Sequence, residues 1–183
     1  MDTLQVVSLL VAAVLFFWAV GAYNRIVEMR NAIGRAYQQV HAHLERRHAL
    51  VGDMVTALRP VLHNEHGTLD AVLAASAQTQ SAAAAVRPRP GVAEPVAQLA
   101  LAEQVLAGSL ARLRALIDLN REPAAEVAVA VGPMVEELAS IDDKMVFARQ
   151  LFNAAAQGYN EAVHQFPTRM LAPLFRFAPA GQL

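Results

Sequence analysis

The chain carries 183 residues and no cysteine; 55% of its side chains are apolar, and 15 basic residues face 16 acidic ones for a net charge of −1. That length suits one domain with an appendage. The charge balance offers no global field for nucleic acid, and the missing thiols exclude disulfide frameworks, thiolate zinc sites and cysteine nucleophiles.

A mean hydropathy of +0.30 is high for a soluble domain, so apolar residues must be concentrated somewhere. They are. From Thr3 to Asn24 no residue is charged, and Gln5 and Ser8 are the clearly polar members of LQVVSLLVAAVLFFWAVGAY. About 20 helical residues at 1.5 Å each cover roughly the 30 Å of a bilayer's hydrocarbon. A cleaved signal peptide would want a basic start, a shorter apolar stretch and a small-x-small site. The start here is Met1-Asp2-Thr3, so residues 1–23 read as an uncleaved transmembrane anchor, with Trp18 and Tyr23 at interfacial positions. No basic residue precedes the run, whereas Arg25, Arg30 and Arg35 follow it. The positive-inside tendency then places the N-terminus outside and the rest in the cytoplasm; the opposite topology is the alternative.

Residues 24–167 read as an antiparallel bundle of about four long helices, an all-α fold. Ile33, Tyr37, Val40, Leu44, Val51, Val55, Leu58 and Leu62 form one amphipathic stripe at spacings of three, four and seven. No glycine or proline separates Tyr23 from Ile33, so the membrane helix is expected to run straight into this one. Pro60 ends it, and Asn64-Glu65-His66-Gly67 reads as a turn. Thr68 is expected to cap a second helix reaching about Val86, with Leu69, Val72 and Leu73 ahead of an alanine-rich stretch. Arg87-Pro88-Arg89-Pro90-Gly91 is the clearest loop. A third helix follows, with Val96, Leu99, Val105, Leu106, Leu110, Leu113 and Ile117 on one side, and Pro123 breaks it. The fourth has the cleanest period: Val131, Met134, Leu138, Ile141, Met145, Ala148, Phe152, Ala155, Tyr159, Ala162 and Phe166. Pro133 falls at its expected start, where proline is tolerated, and Pro167 ends it. No strand alternation is visible.

Four alternating helices bring the end of the fourth back to the membrane surface. The apolar tail, residues 168–183, with Arg169 and Arg176, suits two placements: lying at the interface, or capping the bundle's open end through Leu171, Leu174 and Phe175.

Candidate chemistry is sparse. Two Glu-x-x-His pairs, Glu45 with His48 and Glu161 with His164, invite comparison with helical bundles that hold two metal ions. At about 100° per residue, His48 lies about 40° from Leu44 and Glu45 about 100° away, a marginal geometry. Glu161 and His164 fall off the apolar face, and His41 and His43 are too far round a helix to chelate together. His63 and His66 flank a turn. No nucleophile elbow, triad or phosphate-cradling glycine spacing occurs. Arg46-Arg47 reads as a solvated helix face, with a docking point for acidic partners or lipid headgroups as the alternative, and Asp142-Asp143 as surface charge. The tyrosine–asparagine pairs read as packing devices.

The segment 23–55, directly after the anchor, resembles the LemA family through Tyr23-Asn24, Arg30-Asn31, Tyr37, Leu44 and Arg46-Arg47. Glu65 followed by TLDAVLAA is similar to the family's second helix. Ala148-Arg149, then Tyr159-Asn160-Glu161-Ala162-Val163 and Phe166-Pro167, resemble its ending. The chain departs from the usual pattern where Val51-Gly52-Asp53 replaces Ile-Pro-Asn, where Phe152-Asn153 replaces a first Tyr-Asn, and where a Tyr-Pro motif before the last helix is missing. The resemblance implies a membrane-anchored, mostly helical protein without an established general activity. The expectation is a non-catalytic scaffold or adaptor whose partners are the lipid bilayer and other membrane or envelope proteins, self-association included, with no nucleic acid, small-molecule substrate, cofactor or metal. The candidate interaction residues are Tyr23, Asn24, Arg30, Asn31, Arg46, Arg47, Arg149, Tyr159, Asn160, Phe166 and Pro167. The alternative is a metal-binding sensor or metal-dependent enzyme using the bundle interior.

Overall fold

A computed structural model of the chain describes residues 3–62, 64–119, 125–166, 168–171, 175 and 177–183, the backbone alone for 125–128, 130 and 171. Helix α1 spans Thr3–Leu58, α2 His66–Val86, α3 Ala93–Leu119, α4 Ala125–His164 and the short α5 Thr168–Leu171. Among the described residues there is no strand, only one isolated antiparallel bridge between Val92 and Ala180.

The 56 residues of α1 form one unbroken helix, about 84 Å long at 1.5 Å per residue. Its N-terminal third is an apolar rod with no buried residue, long and apolar enough to cross a membrane. Burial begins at Ile26 and follows the expected stripe through Leu58 and on to Leu62. From there α1 packs against α4, α2 against α3, and the two pairs meet where α1 contacts α2. The described helices therefore form the expected antiparallel bundle.

Two apolar clusters fill it. The one nearer the anchor joins Ile26, Ile33, Tyr37 and Val40 to Val86, Leu99, Phe152 and Tyr159. The distal one joins Leu50, Val51, Met54 and Leu58 to Leu69, Val72, Leu110, Leu113 and Leu138. Because α4 ends among the residues of the first cluster, its C-terminus returns to the anchored end.

Several local expectations need correction. Helix α2 begins at His66, because the Thr68 and Leu69 amides both donate to the Glu65 carbonyl, each at 3.1 Å. Glu65 is the cap residue, and Thr68 lies inside the first turn. The turn before α2 is correspondingly shorter. Val105 is exposed; it lies one residue, about 100°, off the buried line through Leu99, Leu106 and Leu110. Pro133 lies within α4, which starts eight residues earlier, and there it forgoes one backbone hydrogen bond. Phe166 is 77% exposed: α4 ends at His164, so the helical period no longer carries that ring to the core. Pro123 and His63 lie outside the described residues.

Candidate functional site

Between the two apolar clusters, α1, α2 and α3 each place polar groups on the buried face, and α4 adds the half-buried Asp142 and Arg149. On α1 the stripe steps from Leu44 to Arg47 to Val51. On α2 it runs Val72, Ser76, Thr79, Ala83, and on α3 Leu99, Glu103, Leu106, all at helical spacing. The result is a polar layer across the waist of the bundle. Arg47 and Glu103 are each only 5% exposed, which corrects the expectation that Arg46-Arg47 is a solvated pair. Arg46 does face solvent, where it pairs with Glu137 through its Nε at 2.6 Å.

Charge in the layer is arranged as a chain. Glu103 Oε1 accepts from Arg47 at 3.0 Å and from Arg149 at 2.6 Å. Asp142 accepts from Arg47 at 3.4 Å and from Arg114 at 2.7 Å. Asp142 is thus part of this network and not free surface charge. Three guanidiniums share two carboxylates, and the Nε atoms of Arg47 and Arg149 are buried without a hydrogen-bond partner among the described residues. Taking such charges out of water is costly unless they are paired, so the layer is sensitive to loss of any one partner. It opens into a groove of about 400 Å³ between α3 and α4, lined by Ala100, Gln104, Ala107 and Val146 as well as the charged residues.

On the other side of the layer, His48 Nδ1 lies 2.7 Å from Ser76 Oγ. A serine beside a histidine is a pattern used for nucleophilic catalysis. Here Ser76 is 1% exposed on a helix interior, and the adjoining cavity of about 10 Å³ admits no more than one water. No substrate can reach the hydroxyl in this conformation. The Thr79 hydroxyl lies 3.0 Å from the Ala75 carbonyl and 3.2 Å from that of Ala102, tying α2 to α3.

The two Glu-x-x-His pairs do not converge. Glu45 is exposed and held by His41 at 3.2 Å, while His48 faces Ser76; Glu161 and His164 are both exposed on α4. Among the described residues no three histidine, aspartate or glutamate side chains gather as a metal-binding group.

The tyrosine–asparagine residues hold the chain's end. Asn160 bonds the Ala180 backbone twice, from its amide to the carbonyl at 3.0 Å and from the Ala180 amide at 2.6 Å. Asn153 does the same to Leu183, at 2.6 and 2.8 Å. Seven helical residues advance about 10.5 Å and three extended residues about 10 Å, so the two registers match. The Tyr159 hydroxyl donates to the Ala178 carbonyl at 3.1 Å. Burial raises the Tyr159 pKa, opposed by the nearby Arg30 guanidinium. Tyr37 donates to the Ala83 carbonyl at 2.7 Å, and burial, aided by the Glu103 charge, pushes its pKa up strongly. Residues 177–183 therefore lie on the bundle, with Ala180 buried and Phe177 half-buried. Tyr23 packs on Phe175 and Phe177, ring centroids 5.0 and 5.8 Å away.

Of the remaining sequence candidates, Asn24, Arg30 and Asn31 are exposed, Arg149 is in the waist, and Pro167, like Leu174 and Arg176, lies outside the described residues. Sequence reasoning missed Glu103 and Ser76. The signal was present: each is a polar residue at a core position of an otherwise apolar stripe. No match is found among curated proteins. The model of the family described as LemA matches residues 36–183, which takes in the waist, the asparagine clamps and the docked tail. The chain belongs to the LemA family.

Proposed function

We infer that this protein is a non-catalytic, single-pass membrane protein whose bundle serves as a scaffold or adaptor at a bacterial inner membrane. The observation that carries the reading is the continuity of α1. An exposed apolar rod passes without a break into a packed bundle, so the bundle is held rigidly at the bilayer. The three arginines after the rod favour a cytoplasmic bundle with the N-terminus outside.

The face open to a partner is that of α3 and α4. Val146, 56% exposed, lines its groove, and Leu101, Val105 and Phe147 on the same helices are 53–62% exposed. An exposed apolar side chain beside a partly open ionic network, with further exposed apolar side chains elsewhere on both helices, suits a protein–protein contact better than a reaction. The carboxylates of the waist are taken up by its guanidiniums, and the Ser76 hydroxyl is closed off.

Site-specific photocrosslinking in native membranes tests this. A photoreactive residue at Val146 or Phe147 is expected to yield a discrete protein adduct, absent when the probe replaces the exposed Asp53 on α1. Equal labelling at all three positions, or none, would count against the adaptor reading. A catalytic activity of the purified chain lost on His48→Ala would overturn it outright.

A further inference from the structure

At the anchored end, a groove of about 1180 Å³ lies between α1 and the loop joining α2 to α3. Arg30 and Arg35 line it from α1, and Arg87 and Arg89 from the loop. All four are exposed, and none has a carboxylate within ion-pairing distance among the described residues. Two glutamates also line the groove, Glu45 with His41 at 3.2 Å and Glu94 accepting from the Gln98 amide at 3.0 Å, and neither pairs with one of these arginines. The arginines of the waist, the buried Arg47 among them, are paired with acids; these are not.

The loop is held in place. Pro88 and Pro90 each fix one backbone angle, the Arg89 amide donates to the Val86 carbonyl at 3.0 Å, and the Val92 amide to the Arg89 carbonyl at 3.0 Å. The docked tail braces its far side through the Gly181 amide, 3.3 Å from the Gly91 carbonyl. Arginines on a braced loop lose less freedom on binding than arginines on a free one.

Position selects the ligand. Arg30 follows the end of the apolar run by seven residues, about 10 Å along α1, and Pro90 packs beside Gly34, about 16 Å along. The headgroup layer is about 5–7 Å deep on each side, and charge is felt over a screening length of about 8 Å. The upper part of the groove is therefore within reach of headgroup phosphates. Between rod and groove lies the aromatic trio Tyr23, Phe175 and Phe177, with Phe177 also on the groove wall. Aromatic rings at the hydrocarbon boundary with guanidiniums just beyond them match the order of a phospholipid from its chains to its phosphate.

We propose that this groove binds the headgroup of an anionic phospholipid, with Arg30, Arg87 and Arg89 as the phosphate-binding side chains. Guanidiniums suit that role because their paired N–H groups meet two phosphate oxygens at once. The site rests on the membrane-anchor reading, and it stands whether or not the α3–α4 face binds a protein.

The test uses the full chain in neutral detergent micelles, titrated with phosphatidylglycerol or phosphatidylcholine, with bound lipid counted by native mass spectrometry. Phosphatidylglycerol is expected to bind at the lower concentration. Arg87→Gln with Arg89→Gln is expected to weaken it on the order of 30-fold, from about 1 kcal/mol for each arginine near the surface at 1.4 kcal/mol per decade. Arg112→Gln, which removes one exposed charge on the distal half of α3, is expected to change nothing. Equal binding of the two lipids, or a double variant that binds like the parent, would overturn the proposal. So would displacement of phosphatidylglycerol by equimolar inorganic phosphate, which would reassign the groove to a soluble phosphate.

Discussion

The waist of the bundle and the groove at its anchored end use the same residue type in opposite ways. In the waist, Arg47 and Arg149 converge on one oxygen of Glu103, with Asp142 and Arg114 extending the chain. At the membrane end, Arg30, Arg35, Arg87 and Arg89 are exposed and unmatched. The difference teaches which arginines the fold needs. A guanidinium that has lost its water must keep its partner, whereas one still in water can be removed at little cost and is available to something outside the chain.

The most disruptive way to break that comparison is Glu103→Gln. It leaves two guanidiniums facing a neutral amide at a position that is 5% exposed, and unfolding is expected to become easier by about 3–5 kcal/mol. Denaturant titration of the full chain in micelles checks this. Arg46→Gln, which breaks a surface pair one residue away from Arg47, should cost about 0–1 kcal/mol in the same titration. The apolar replacement Arg47→Met, Glu103→Leu and Arg149→Met sharpens the point. If the layer only has to be self-consistent, this triple variant should be far closer to the parent than Glu103→Gln.

A smaller effect is expected from Asn160→Ala, which strips both hydrogen bonds from the Ala180 backbone and should cost about 1–3 kcal/mol. The loss should be local, read as faster amide exchange at residues 177–183. Gly181→Ala should loosen the same segment, since an added Cβ would lie 2.8 Å from the Ala93 Cα and 3.3 Å from its carbonyl oxygen.

High pH probes the waist from another side. The folded state holds the Tyr37 pKa well above the ordinary value near 10, chiefly by burial and then through Glu103. Unfolded chains then lose the proton first. Stability is therefore expected to be unaffected by this group below about pH 10 and to fall as pH rises beyond it. In Tyr37→Phe that part of the alkaline slope should vanish. The smallest effect belongs to Arg87→Gln with Arg89→Gln, expected to shift stability by no more than about 0.5 kcal/mol.

Much of this architecture is legible in the sequence because helical burial repeats every three or four residues. Ile33, Tyr37, Val40, Leu44, Val51, Val55, Leu58 and Leu62 are all buried as the spacing predicts, and the charge-free run from Thr3 is an exposed rod. The loop at residues 87–91 also falls where its prolines and glycine place it. The waist was hidden for a physical reason. A stripe is found by its apolar members, so the step from Leu44 to Val51 passes over Arg47, and Glu103 disappears between Leu99 and Leu106. Arg47 and Glu103 lie 56 positions apart, and no local pattern says that they meet. The asparagine clamps were half legible. Tyr159-Asn160 stands out as a packing device, but only the matched advance of helix and extended tail shows what Asn153 and Asn160 hold.

The division between fold-bearing and ligand-facing arginines is tested most directly by melting the full chain in lipid nanodiscs, with and without phosphatidylglycerol. A ligand that binds only the folded state raises the midpoint. Phosphatidylglycerol is expected to raise it in the parent and, from a lower starting point, in Glu103→Gln, and to raise it clearly less in Arg87→Gln with Arg89→Gln. A midpoint indifferent to phosphatidylglycerol in the parent, or a rise in the loop variant as large as the parent's, would contradict the account.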